Sequence, residues 1–144
     1  MSLYCQESEL FKPVSDYFKN KGYKVRYEIK IGFCRADIVA FKENKTTAVE
    51  LKLYDWKKAI IQAKNYQLGS NYVYIAIPLS KVYNILRKAE HSLRKEGIGL
   101  LIVNEKSHIV KRYINARLSK KQFGEISLDK INKKMYKVSK YKFL

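Results

Sequence analysis

Cysteines, acidic residues and long apolar runs are scarce in this chain, and each shortage excludes a class of protein. Two cysteines in 144 residues, Cys5 and Cys34, cannot form a disulfide framework and do not have zinc-ligand spacing. No apolar run approaches the ~18 residues that cross a bilayer, and the N-terminus lacks the apolar segment of a secretory signal. We therefore expect a cytoplasmic protein with no membrane partner.

The shortage of acidic residues gives the chain a large positive charge. Thirty Lys and Arg stand against thirteen Asp and Glu, a net charge of +17. Such a charge repels itself unless a polyanion neutralises it. Nucleic acid is the commonest polyanion partner, because each neutralised phosphate releases a condensed counterion. A membrane surface or a ribosome is the alternative. Since 47% of the residues are hydrophobic, the chain can also bury a core of its own.

Hydrophobic periodicity predicts an α/β fold with the element order α-β-β-β-α-β-α-β. Buried and half-buried strands between amphipathic helices are typical of a mixed central sheet flanked by helices on both faces. The predicted helices cover 8–21, 56–68 and 82–97; the predicted strands cover 23–31, 35–41, 47–53, 72–77 and 99–103, with an edge strand at 108–113.

The C-terminal part of the chain differs in composition. Residues 111–144 contain eleven Lys and Arg but only Glu125 and Asp129 as acids. We therefore predict a domain over residues 1–112 and a basic extension over 113–144. The extension has enough apolar residues for one or two short helices that pack on or beside the domain.

Two neighbouring predicted strands carry residues that could form a catalytic site. Side chains alternate along a strand, so Glu50 and Lys52 share one face. Asp37 lies on the preceding strand, and a turn near 43–46 would bring it beside Glu50. Two converging carboxylates suit a hard cation such as Mg²⁺, which lowers the pKa of bound water. Taken alone, a Glu-x-Lys pair is more often a solvated strand face.

These elements resemble the PD-(D/E)XK nuclease superfamily, which has the restriction-endonuclease-like fold with an α-β-β-β-α-β core. The resemblance covers about residues 7–103 and includes Arg35-Ala36-Asp37, Glu50-Leu51-Lys52 and a helix with Gln62 and Tyr66. Alanine stands where the family has its proline. The resemblance implies that Asp37, Glu50 and the Leu51 carbonyl bind Mg²⁺, or Mn²⁺ in its place. It also implies that Lys52 is the catalytic lysine.

Further residues are implied by the same resemblance. Gln62 and Tyr66, four residues apart on one helix face, would contact the substrate phosphate or brace Lys52. Alternatively, both are ordinary positions of an amphipathic helix. Many members have another metal-binding glutamate on the first helix. Here Glu9 is the best match and Glu7 the second, although an acidic residue in a first helical turn also interacts favourably with the helix dipole.

The implied activity is Mg²⁺-dependent hydrolysis of phosphodiester bonds in DNA, with a junction-resolvase-like or restriction/repair-type role. A homodimer is expected on two-fold DNA, and no small-molecule cofactor is needed. A DNA-binding module with little or no cleavage is the alternative. Trp56 could stack on a base or complete the core, and Arg35 could hold a phosphate or remain simply exposed. The full set of expected DNA-binding residues is Arg35, Trp56, Lys57, Lys58, Lys120, Lys121, Lys133 and Lys134.

Overall fold

The computed structural model describes residues 4–119, which form a mixed α/β structure. All the predicted helices and strands in this range are present, including the edge strand. The helices are α1 (Phe11–Asn20), α2 (Trp56–Tyr66) and α3 (Val82–Glu96), with 3-10 turns at Glu7–Leu10 and Leu79–Lys81. The strands are β1 (Lys24–Ile31), β2 (Cys34–Lys42), β3 (Lys45–Leu51), β4 (Tyr72–Pro78), β5 (Gly99–Val103) and β6 (Val110–Ile114).

One six-stranded sheet runs in the order β1-β2-β3-β4-β5-β6. The first three strands form an antiparallel meander. Strand β4 is parallel to β3, and β5 is parallel to β4. Each parallel pair is connected through a helix, as the geometry of parallel strands requires. β6 returns antiparallel to β5. The sheet is therefore mixed, as predicted.

Local sequence signals determine where the helices begin and end. The side chain of Asp55 caps α2 by accepting a hydrogen bond from the Lys58 N–H at 3.2 Å. Gly22 follows α1 with φ +88°, and Gly97 ends α3 with φ +74°. Glycine adopts this left-handed conformation without the steric cost that a Cβ would add.

The β2–β3 hairpin places the predicted catalytic strands side by side. Its turn residues, Glu43 and Asn44, both have positive φ, which matches the twist of the flanking strands in a two-residue hairpin. The observed register pairs Ile38 with Val49. Continuing this antiparallel register by one residue brings Asp37 opposite Glu50.

Each face of the sheet has its own hydrophobic core. The first core includes Ala59, Ala63 and Tyr66 of α2 and Ile85 of α3, packed on β1 to β5. The second core lies on the opposite face, where α1 packs on the sheet through Val14 and other apolar residues. Alternation along β3 sends Ala48 to the α2–α3 core and Val49 and Leu51 to the α1 core. Glu50, between the last two, therefore faces α2.

One predicted strand end needs correction. Strand β3 ends at Leu51 rather than at residue 53, although the Lys52 N–H still donates to the Ala76 carbonyl at 3.0 Å. Strand β6 extends to Ile114, which pairs with Leu100, so residue 112 lies within this strand. Within residues 4–119, no helix has the length and apolar character needed to cross a membrane.

Candidate active site

Glu50 is a buried carboxylate on the α2 side of the sheet. Only 4% of its surface is exposed. Tyr66, at the end of α2, places its hydroxyl 2.7 Å from Glu50 Oε1. The same hydroxyl donates to the Arg35 carbonyl, also at 2.7 Å. Tyr66 therefore links α2 to both β2 and β3.

The Tyr66 hydroxyl has one hydrogen, which it donates to the Glu50 carboxylate or to the Arg35 carbonyl. Donation to the carboxylate favours the charged form of Glu50. The pKa of Glu50 is raised to about 7, first because burial penalises the charged form and second because Asp37 repels it. Tyr66 and Lys52 oppose these effects without cancelling them.

Asp37 forms the second half of the carboxylate pair. Its Oδ2 accepts a hydrogen bond from the Leu51 N–H at 2.8 Å. Burial raises the pKa of Asp37 to about 6, while the Leu51 N–H works in the opposite direction. Glu28 lies opposite Asp37 and has φ +53°. In the pairing of β1 with β2, Tyr27 and Ile29 are paired and Glu28, between them, is not. A positive φ at a non-glycine residue is a strained conformation of the kind found at functional sites.

Lys52 is the only cation in contact with the pair among residues 4–119. Its side chain is mostly buried, and its Nζ lies 3.6 Å from Glu50 Oε2. This distance allows an ion pair but exceeds that of a tight charge-assisted hydrogen bond. The ammonium group therefore sits beside the carboxylate and can also turn toward a substrate oxygen.

The structure brings Glu7, and not Glu9, toward the carboxylate pair. Glu9 Oε1 accepts hydrogen bonds from the Cys5 N–H at 2.9 Å and the Gln6 N–H at 3.1 Å, so it caps the first turn. Glu7 Oε2 accepts from the Leu53 N–H at 3.3 Å, and the Glu7 charge raises the pKa of both Asp37 and Glu50. Glu9 thus has a structural role in the cap begun by Gln6, and Glu7, the second match from the sequence, lies closer to the carboxylate pair in its electrostatic effect.

Gln62 lies one helical turn before Tyr66 on the same side of α2. Its Oε1 is buried, and no hydrogen-bond partner for it is found in the described part of the chain. A buried carbonyl oxygen of this kind requires a donor, such as a water or a substrate hydroxyl. Gln62 thus has a free acceptor on the helix face that also presents Tyr66.

The donor set fits a hydrated divalent cation better than a metal enclosed by protein ligands. No group of three or more His, Cys, Asp and Glu side chains in residues 4–119 could hold a metal. Mg²⁺, however, is commonly bound by one or two carboxylates and keeps several waters. Asp37 and Glu50 supply two carboxylates. Because the N–H and C=O of a strand residue point toward the same neighbour, the contact of the Leu51 N–H with Asp37 fits the predicted carbonyl ligand.

The structure describes four of the predicted DNA-binding residues, one on β2 and three at the start of α2. Arg35, Lys57 and Lys58 are exposed. Trp56 is partly buried and packs against the α2–α3 core, so it contributes to the core. The remaining four predicted positions lie outside the described residues: Lys120, Lys121, Lys133 and Lys134.

Comparison with known proteins finds similar solved structures but no similar sequence family. No protein-family profile matches the sequence, and no curated protein matches it significantly. SPO1766 from Silicibacter pomeroyi, a protein of unknown function, superposes with a TM-score of 0.73 at 14% identity, covering 98% of this chain and 91% of that protein.

Two further solved structures are similar. An XisH family protein from Nostoc punctiforme has a TM-score of 0.56 at 18% identity, covering 74% of this chain and 97% of its own. An fdxN element excision controlling factor protein from Anabaena variabilis has a TM-score of 0.58 at 18% identity, covering 75% and 99%. The chain thus shares its α/β fold with these proteins, and identities this low establish the fold alone.

Proposed function

We propose that this protein is a metal-dependent endonuclease of the PD-(D/E)XK type that hydrolyses phosphodiester bonds in DNA. The observation that carries the proposal is the arrangement of Asp37, Glu50 and Lys52. Two electrostatically coupled carboxylates on adjacent strands share a mostly buried site with one lysine. Burying this many charges is costly for stability alone. Their retention is best explained by chemistry.

The proposed roles follow from the contacts. Asp37 and Glu50 hold Mg²⁺, which when bound supplies an activated water and offsets charge on the phosphate oxygens. Lys52 orients the attacking water or stabilises negative charge that develops on the phosphate. Tyr66 holds the Glu50 carboxylate in place through its 2.7 Å contact. Gln62 offers its acceptor to the water or the substrate.

DNA is the proposed substrate because of the charge around the site. No acidic residue occurs in α2, and none occurs in residues 29–36 of the β1–β2 hairpin. Arg35, Lys57 and Lys58 are exposed on these two elements. Phosphates neutralised by such side chains account for most non-specific affinity for DNA. Two chains on one duplex would match its two-fold symmetry, and the mass of the DNA complex in solution tests that part of the proposal.

The test is a cleavage assay on a panel of branched and linear DNAs with Mg²⁺ or Mn²⁺. Asp37→Asn, Glu50→Gln and Lys52→Met should each lose at least about 100-fold in rate, as is usual when a metal ligand or charge-stabilising group is removed. Glu43→Gln and Lys45→Met, in the exposed β2–β3 turn, are the matched controls and should cut normally. Wild-type rates in all three site variants would refute the proposal.

A DNA-binding module without cleavage is the second candidate. Two properties of Glu50 favour this candidate. Its carboxyl group already has Tyr66 and Lys52 as partners, and its pKa is about 7. In addition, one structural neighbour is named a controlling factor for excision of an element, which describes control rather than cutting. Salt-dependent DNA binding without Mg²⁺-dependent products on any substrate of the panel would favour this candidate.

A further inference from the structure

A groove of about 610 Å³ lies between the start of α2 and the α3 helix, next to the proposed catalytic strand. Leu53, the residue after Lys52, forms part of its wall. The side chains that determine its chemistry are aromatic or cationic, with one amide: Tyr54, Trp56, Lys57, Lys81, Asn84 and Lys88.

The groove has a net positive charge. Lys57, Lys81 and Lys88 line it, and none of them forms an ion pair within residues 4–119. Asp55 is the one acidic residue in the lining, and its carboxylate accepts the Lys58 N–H at the cap of α2. Three ammonium groups against one carboxylate around a concave surface favour an anionic ligand with several phosphates.

Aromatic surface is available in the same groove. Tyr54 is 60% exposed although it is large and apolar. The Lys81 Nζ lies 4.7 Å from the centre of the Tyr54 ring, so a cation already covers one part of it. Trp56 shows its outer part to the groove, while its inner part packs on the core. Aromatic rings and ammonium groups on one surface are the combination on which unpaired bases stack and phosphates are neutralised.

We infer that this groove binds an unpaired stretch of a nucleic-acid strand next to the scissile phosphate. The inference rests on the proposed nuclease function and adds that the substrate has a single-stranded part. A groove with aromatic walls admits splayed-out bases. A base-paired duplex, by contrast, is read by protein elements that protrude into its own grooves. Leu53 lines the groove and directly follows Lys52 in the chain, so the groove adjoins the segment that carries Lys52 at the end of β3.

The experiment uses Trp56, the single tryptophan of the chain, as a reporter inside the groove. The full-length protein is titrated in EDTA, so that no cleavage occurs, with a short oligothymidylate, a duplex of equal length, thymidine monophosphate or polyglutamate. The oligothymidylate should change the Trp56 fluorescence strongly. The duplex, the mononucleotide and the peptide polyanion should change it little at equal phosphate or carboxylate concentration.

Variants make the result specific to the groove. Tyr54→Ala should weaken oligothymidylate binding about 10-fold or more and leave duplex binding unchanged. Lys88→Gln should reduce the salt dependence of single-strand binding by about 0.7 in the logarithmic slope. Tyr83→Ala and Lys106→Gln replace an exposed tyrosine and an exposed lysine outside the groove, and they should bind like wild type.

Several outcomes would overturn the inference. Equal losses in Tyr54→Ala and Tyr83→Ala would place the strand elsewhere, as would unchanged Trp56 fluorescence on saturation with oligothymidylate. Polyglutamate binding as tightly as the oligonucleotide would assign the groove to acidic peptides. Because the measurement excludes metal, it can fail while cleavage succeeds, and it can succeed while cleavage fails.

Discussion

Replacing Glu50 by glutamine should change how stability depends on pH in the metal-free protein. Glutamine keeps the shape of the side chain and can still bond to Tyr66, but it cannot ionise. In the wild type the folded-state pKa of Glu50, about 7, lies above the ordinary value of 4.5. The folded protein therefore binds the proton more tightly than the unfolded chain. The resulting stability is fully present below pH 4.5 and is lost as the pH rises through about 7.

The size of the effect follows from the same two values. The difference between about 7 and 4.5 corresponds to about 3 kcal/mol, and Glu50 is too buried for solvent to screen much of it. Wild type should lose that amount relative to Glu50→Gln between about pH 4 and about pH 8. Asp37 is present in both proteins, and burial, the largest cause of its raised pKa, is the same in each.

Urea unfolding in EDTA at a series of pH values measures this difference. Glu43→Gln, a matched change in the exposed β2–β3 turn, should show the wild-type pH dependence. Added Mg²⁺ should restore stability at high pH in the wild type by about 3 kcal/mol at a hundred times its Kd, but not in Glu50→Gln. Parallel pH profiles for wild type and Glu50→Gln would refute the argument that burial controls this carboxylate.

Three further predictions concern the surroundings of Glu50. Glu7→Gln should lower the pH at which Mg²⁺ binding is half-maximal, because the Glu7 charge raises the pKa of the carboxylate pair. Glu9→Gln should weaken only the first helical turn. Calorimetric Mg²⁺ titrations at several pH values compare the two variants. Tyr66→Phe should raise that pH, since the hydroxyl lowers the pKa of Glu50; an unchanged midpoint would contradict the contact. Gly32→Ala should cost about 1–3 kcal/mol in thermal unfolding, because φ is +61° and a Cβ would collide with the Asn65 side chain.

The local sequence was sufficient to predict the element order and the pairing of the strands that carry Asp37 and Glu50. Alternation along β3 put Glu50 and Lys52 on one face, opposite Val49 and Leu51, and in the structure Glu50 contacts both Lys52 and Tyr66. Asp55 and the glycines after α1 and α3 marked helix ends for reasons that lie within a few residues. These helix ends and strand faces depend on backbone geometry and on the alternation of side chains. Both are determined by short segments of the sequence.

The tertiary structure decided what depends on distant residues. The sequence favoured Glu9 over Glu7, and only the approach of the first turn to Leu53 shows that Glu7 is the one whose charge reaches the carboxylate pair. The raised pKa of Glu50 is a sum over burial, Asp37, Tyr66 and Lys52, which come from separate parts of the chain. The pKa of a side chain and the shape of a groove both depend on every residue that is close in space. A sequence pattern specifies only the residues that are close along the chain. The sequence thus determined which residues could form the Asp37–Glu50–Lys52 site, and packing determined its electrostatics.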